Sequence, residues 1–123
     1  MEDKTAEEQT GWRNYVTLPL VNEGWKVLNP VHRSMKDGYN HRRIYELDMR
    51  DVRSSNVILA DLRRSDGECY GTAMELQEAY TRNIPIVAYA IENQRKHPFL
   101  EVVVTEWVLD WDKAIDILNR FYK

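Results

Sequence analysis

A single cysteine, Cys69, leaves this 123-residue chain without an internal disulfide framework and suits a reducing compartment. No apolar run approaches the roughly 18 residues of a candidate membrane span, so no membrane partner is expected. The N-terminus, MEDKTAEEQT, has neither the basic nor the apolar region of a signal peptide. The expected location is therefore cytoplasmic. An excess of basic charge is also missing: 17 Lys and Arg stand against 20 Asp and Glu, a net charge of −3, and the basic residues are scattered. Nothing forms the stripe that neutralising a phosphate backbone requires, so nucleic acid is not an expected partner. The three histidines, His32, His41 and His97, place no two on one helical face, and Cys69 has no neighbour at zinc-ligand spacing. No metal and no cofactor are expected.

What is present is the composition of a folded domain: 43% hydrophobic and 30% charged residues, with four Trp and seven Tyr, in a length suited to one core. Residues 1–10 read as an acidic flexible N-terminus and 11–123 as a single domain. The segment WRNYVTLPLVNEG has helical spacing at Trp12, Val16, Leu20 and Val21 and ends at Gly24, with Pro19 implying a kink or a late start. WKVLNP reads as a short strand stopped by Pro30. VHRSMKDGYNHR is a polar loop, RIYELDMRDVRSS a helix, and NVILAD a strand apolar on both sides. After the loop LRRSDGECYG come the helix TAMELQEAYTR and a second doubly apolar strand, IPIVAYA. EVVVTEWV reads as a strand. DWDKAIDILNRFY reads as a closing helix capped by Asp110, with Ile115, Leu118 and Phe121 or Tyr122 inward. The alternation implies an α/β fold with a mainly parallel sheet, and such sheets bind ligands beyond the carboxyl ends of their strands.

Three carboxylates stand out. Thr72-x-x-Glu75 fits a capping box, in which the glutamate reaches back to the amide of the cap residue. The same spacing, with Gly71 allowing a sharp turn, also permits Glu75 to face a ligand over the strand ends. In the helix from Arg43, Asp48 lies four residues from both Ile44 and Val52, on the apolar stripe, and Asp51 shares that side. A carboxylate there needs a hydrogen-bond partner, a place at the rim, or a site. Trp107 and Trp111 read as core or interface residues rather than a stacking platform.

LDMRDVRSSNVILADL followed by YGTAMELQEAYTRNIPIVAYA resembles the nucleoside 2-deoxyribosyltransferase family, which includes nucleoside 5′-monophosphate N-glycosidase-like members; LVNEGWKVLNP is similar to that family's first helix and second strand. The resemblance covers roughly residues 12–123. It implies a flavodoxin-like three-layer sandwich and cleavage or transfer at the N-glycosidic bond of a (deoxy)nucleoside or its 5′-monophosphate. Glu75 would be the nucleophile and Asp48 the aspartate that orients or donates a proton. Cys69 falls where relatives place an aspartate or a phosphate-contacting serine; Gly71, Thr72, Ser65 and Tyr39 complete the implied substrate-binding set. MEDKTAEEQTG stands where the family has its first strand, so the sheet is expected to lack that strand and the chain to form a homodimer or larger homo-oligomer. The alternative is a catalytically inactive nucleotide-binding or interaction module of the same fold. Glycohydrolysis of a dinucleotide such as NAD ranks last, since no glycine-rich fingerprint is present.

Overall fold

The computed structural model describes residues 6–28, 40–63, 70–91 and 98–123. Their elements are α1 (Ala6–Asn22), α2 (His41–Ser54), β1 (Ile58–Asp61), α3 (Tyr70–Thr81), β2 (Ile86–Tyr89), α4 (Pro98–Val103), β3 (Glu106–Val108) and α5 (Trp111–Ile117). The last helix continues as a π-helical turn, Leu118–Tyr122. The strands form one parallel sheet in the order β1, β2, β3, with Ile58 opposite Ile86 and Val87 opposite Glu106. This is an α/β fold with a small open sheet. Among the described residues, no helix is long and apolar enough to cross a membrane.

Alternate side chains of β2 feed two apolar clusters, as the two-residue period of a strand covered on both sides requires. Ile86 and Ala88 pack with Val52 of α2 and Leu76 and Ala79 of α3. Val87 packs with Val16 and Leu20 of α1 and with Ala114 and Ile117 of α5. Ile86 and Val87 are fully buried, and removing each such side chain from water contributes about 1.5–3 kcal/mol.

Local signals set the helix ends. α1 closes on Gly24 at φ +96°, where the Gly24 amide donates to the Val21 carbonyl and the Trp25 amide to that of Leu20. α3 closes the same way on Asn83 at φ 59°, with Asn83 donating to Tyr80 and Ile84 to Ala79. Both are left-handed caps that satisfy otherwise orphaned carbonyls. A Cβ at Gly24 would meet nothing within 4 Å, so Gly24→Ala isolates the backbone penalty. A loss of about 1–2 kcal/mol is expected from urea unfolding. Asn40 caps α2 by accepting from the Arg43 amide at 2.7 Å, and Asp110 caps α5 by accepting from the Lys113 amide at 2.6 Å.

Several elements differ from the sequence reading. α1 starts at Ala6 and runs through Pro19, giving up the bond that its missing N–H would make to the Tyr15 carbonyl. Trp25–Leu28, the described part of the expected strand to Pro30, has no strand pairing. These residues and Val57–Asp61 line a common cavity, so open space stands where a ladder would form. Among the described residues β1 is an edge strand with Ala60 its one buried position, not a second central strand. The apolar run before Trp107 is divided: Pro98 opens α4, where a missing N–H is harmless, and only Glu106–Val108 joins the sheet. Thr105 marks the change, its amide donating to the Ile86 carbonyl and its Oγ1 accepting from the Ile86 amide, both at 2.9 Å. At the C-terminus Leu118 is buried and Tyr122 half-buried, its hydroxyl donating to Glu106 at 2.6 Å, while Phe121 is exposed.

Candidate active site

The site begins with α2. Its 3.6-residue period buries Met49 and Val52 and leaves Arg43, Arg50 and Arg53 in solvent. Asp48 and Asp51 fall between, half-buried, and both line the cavity of about 370 Å³ beside β1. The face is tied to α3 across the packed pair of helices, where Arg53 bonds Glu78 at 2.9 Å.

Glu75 comes from α3. That helix already includes Tyr70, so Thr72 is its third residue and not its cap, and Glu75 is its sixth. The capping box is therefore not formed: a residue this far along no longer adjoins the free first-turn amides. Gly71 is likewise helical and makes no sharp turn. Glu75 precedes the fully buried Leu76 and lines the cavity with Thr72, Asp48, Asp51, Asp61 and Arg13. The cavity thus joins α1, α2 and α3 along the edge of β1, from Val57 to Asp61, and reaches the carboxyl end of the strand at Asp61.

Burial, then the negative charge of Asp48 and more weakly that of Asp51, pushes the Glu75 carboxyl from 4.5 up to about 7, against the opposing pull of Arg13. Arg13 is itself lowered from its ordinary value by burial, with Asp61 and Glu75 acting the other way. Near neutral pH Glu75 is therefore poised between its two protonation states, the condition that acid, base and nucleophilic chemistry uses.

On the α1 side Trp12 and Arg13 line the cavity, backed by an aromatic and cationic stack. The Arg13 guanidinium lies 4.8 Å from the centre of the Trp12 ring, and Trp12 stacks on Trp111 at 4.4 Å with an 8° interplanar angle. Trp111 meets the edge of Tyr89 at 4.8 Å, and Arg63 covers Tyr89 at 4.4 Å. Arg63 grips Asp61 at the end of β1 with two side-chain bonds, 2.8 and 2.9 Å, and its amide also donates to Asp61. Such stacks are each worth about 0.5–2 kcal/mol and fix ring and guanidinium orientation. Trp111 is thus core-forming, as its sequence context implies.

Of the residues singled out from sequence, Glu75, Asp48 and Thr72 are brought to one cavity. Tyr39, Ser65 and Cys69 lie outside the described residues. Sequence reading missed Arg13 and Asp61 as site residues. Asp61 had a signal, an acidic residue closing an apolar strand; Arg13 had none, because its meeting with Glu75 spans 62 positions of chain. Among the described residues, no three His, Cys, Asp or Glu side chains converge as a metal-binding set.

Compared with models of known protein families and with curated proteins, the chain matches none.

Proposed function

We propose that this chain cleaves or transfers at the N-glycosidic bond of a (deoxy)nucleoside or its 5′-monophosphate, on a flavodoxin-like three-layer sandwich resembling the nucleoside 2-deoxyribosyltransferases. One observation carries the reading: Glu75 and Asp48, from separate helices, line one cavity beside a parallel strand, where burial and the Asp48 charge push the Glu75 carboxyl up to about 7. In the reaction a Glu75 oxygen bonds to C1′ as the C1′–N bond breaks, and the bonding pair leaves with the base. The Glu75–Asp48 pair holds one proton, which passes through Asp48 to the departing base and leaves Glu75 ionised for the attack. Water or a second base then attacks C1′ and gives up its proton to Asp48, the ester C–O bond breaks, and Glu75 returns as a carboxylate. A carboxylate beside an oxocarbenium-like centre is the arrangement of retaining glycosidases, and burial strengthens its effect. Exposed Tyr15, Leu18 and Val21 on α1 support an assembly of two or more copies.

The test is incubation with deoxynucleosides and a second free base, then with deoxynucleoside monophosphates and with NAD, following base release by chromatography. Base release from a deoxynucleoside or its monophosphate is expected; turnover of NAD alone, or of nothing, contradicts the proposal. A non-catalytic nucleotide-binding module of the same fold is the second reading. It is favoured by the half-neutral state of Glu75 near pH 7, which suits a carboxyl that donates a hydrogen bond to a bound ligand. Saturable nucleotide binding without turnover would select it.

A further inference from the structure

We propose that Arg13, a residue of α1 outside the pair of carboxylates assigned to the chemistry, is a positioning residue that holds Glu75 in its ionised, cavity-facing state. The inference rests on the reading of Glu75 as the nucleophile. Three geometric facts carry it. Arg13 lines the same cavity as Glu75, Asp48, Asp51 and Asp61. Its guanidinium is half-buried, where its charge is less screened than in bulk water. Its orientation is set by the stack on Trp12, which also lines the cavity and rests on Trp111 of α5.

The groups facing Glu75 come from each neighbouring element. α2 supplies Asp48 and Asp51, both of which oppose ionisation of Glu75; α1 supplies Arg13, which favours it. At the end of β1, Asp61 shares the field of Arg13 but is itself held by the two bonds from Arg63. Asp61 is thus shared between Arg63 and Arg13, and the Arg13 charge acts on Asp61 first and on Glu75 second. Without Arg13, Glu75 would face two aspartates in a buried setting and hold its proton to higher pH, losing the lone pair that must reach C1′. A carboxylate near a guanidinium is typically held down by about 1–3 pH units, and burial of both groups preserves such effects.

Direct titration separates this claim from the enzymatic one. Carboxyl carbon NMR of selectively labelled glutamate, assigned with Glu75→Gln, reads the midpoint of Glu75 with no substrate present. In Arg13→Gln the midpoint is expected to rise by about one pH unit or more, and in Arg13→Lys to remain closer to the wild-type value. Where base release is measurable, the acid limb of its pH profile moves by the same amount. The wild type offers a check that needs no Arg13 variant: the Arg13 Nε resonance should shift with the midpoint of Glu75 and stop doing so in Glu75→Gln. An unchanged Glu75 midpoint in folded Arg13→Gln, or an Arg13 resonance insensitive to pH between about 5 and 9, overturns the proposal. A shifted midpoint in a protein that releases no base sustains it and counts against the glycosidic reading alone.

Discussion

Glu75→Gln is expected to make the protein more stable above pH 7 while removing its activity. Burial and two neighbouring aspartates raise the folded-state midpoint of Glu75 from 4.5 to about 7. Between those values the folded chain binds more protons than the unfolded chain, so stability falls as pH rises across that window. Below about 4.5 the carboxyl is neutral in both states and nothing is lost. By pH 8 nearly the full penalty is present, on the order of 3 kcal/mol at 1.36 kcal/mol per pH unit. Glutamine has nearly the same shape and no charge to desolvate. Urea unfolding should therefore show the variant about 3 kcal/mol more stable at pH 8, with the difference closing towards pH 4. A glutamate serving as a helix cap gives the opposite sign, since removing a carboxylate held by amides destabilises at every pH where it is ionised. Over the same substitution, base release should fall roughly 10³-fold or more, because in the proposed reaction no other group supplies the bond to C1′. Stability gained where activity is lost is the expected mark of a functional carboxylate kept in an unfavourable setting.

Asp48→Asn is the second large effect, and its two consequences run in different directions. Asp48 is the leading charge that opposes ionisation of Glu75, so removing it lowers the midpoint of Glu75 and moves the acid limb of the pH profile to lower pH. Taken alone, that would make more nucleophile available at pH 6. In the proposed reaction, however, the departing base loses its proton donor, and general acid catalysis of this kind contributes about 10²–10⁴-fold. The expected result is a pH-independent rate lower by about 10²-fold or more, with the limb displaced downward. Steady-state rates measured from pH 5 to 9 separate the two. A variant with the wild-type plateau would remove Asp48 from the chemistry, and one with an unmoved limb would remove it from the field around Glu75.

Position along the chain explains which parts of this site were legible. Asp48 and Asp51 were readable because the 3.6-residue period of α2 assigns each residue a side before any partner is known. Gly24 and Asp110 were readable for a similar reason: a left-handed cap and an N-cap are settled within about four residues. The capping box of Thr72 and Glu75 was a local match that the helix start undid, since α3 includes Tyr70 and carries Thr72 past the cap. The run before Trp107 misled through its β-branched residues, whose strand preference gave way to a helix opened by Pro98 and to the pairing of Thr105 with Ile86. Trp25–Leu28 likewise read as a strand from composition, but a strand needs a neighbouring ladder, and these residues face the cavity beside β1 instead. Arg13 lay beyond reach for the plainest reason. Its relation to Glu75 exists only once α1 and α3 are brought to the same cavity, and no spacing in either helix announces it.

The most direct measurement is peptide mass spectrometry of the protein quenched during incubation with a deoxynucleoside. A sugar ester should be found on the peptide that contains Glu75 and be absent from Glu75→Gln. Base release by the wild type with the sugar on another residue, or at an undiminished rate in Glu75→Gln, would contradict the assignment of that carboxylate as the group that attacks C1′.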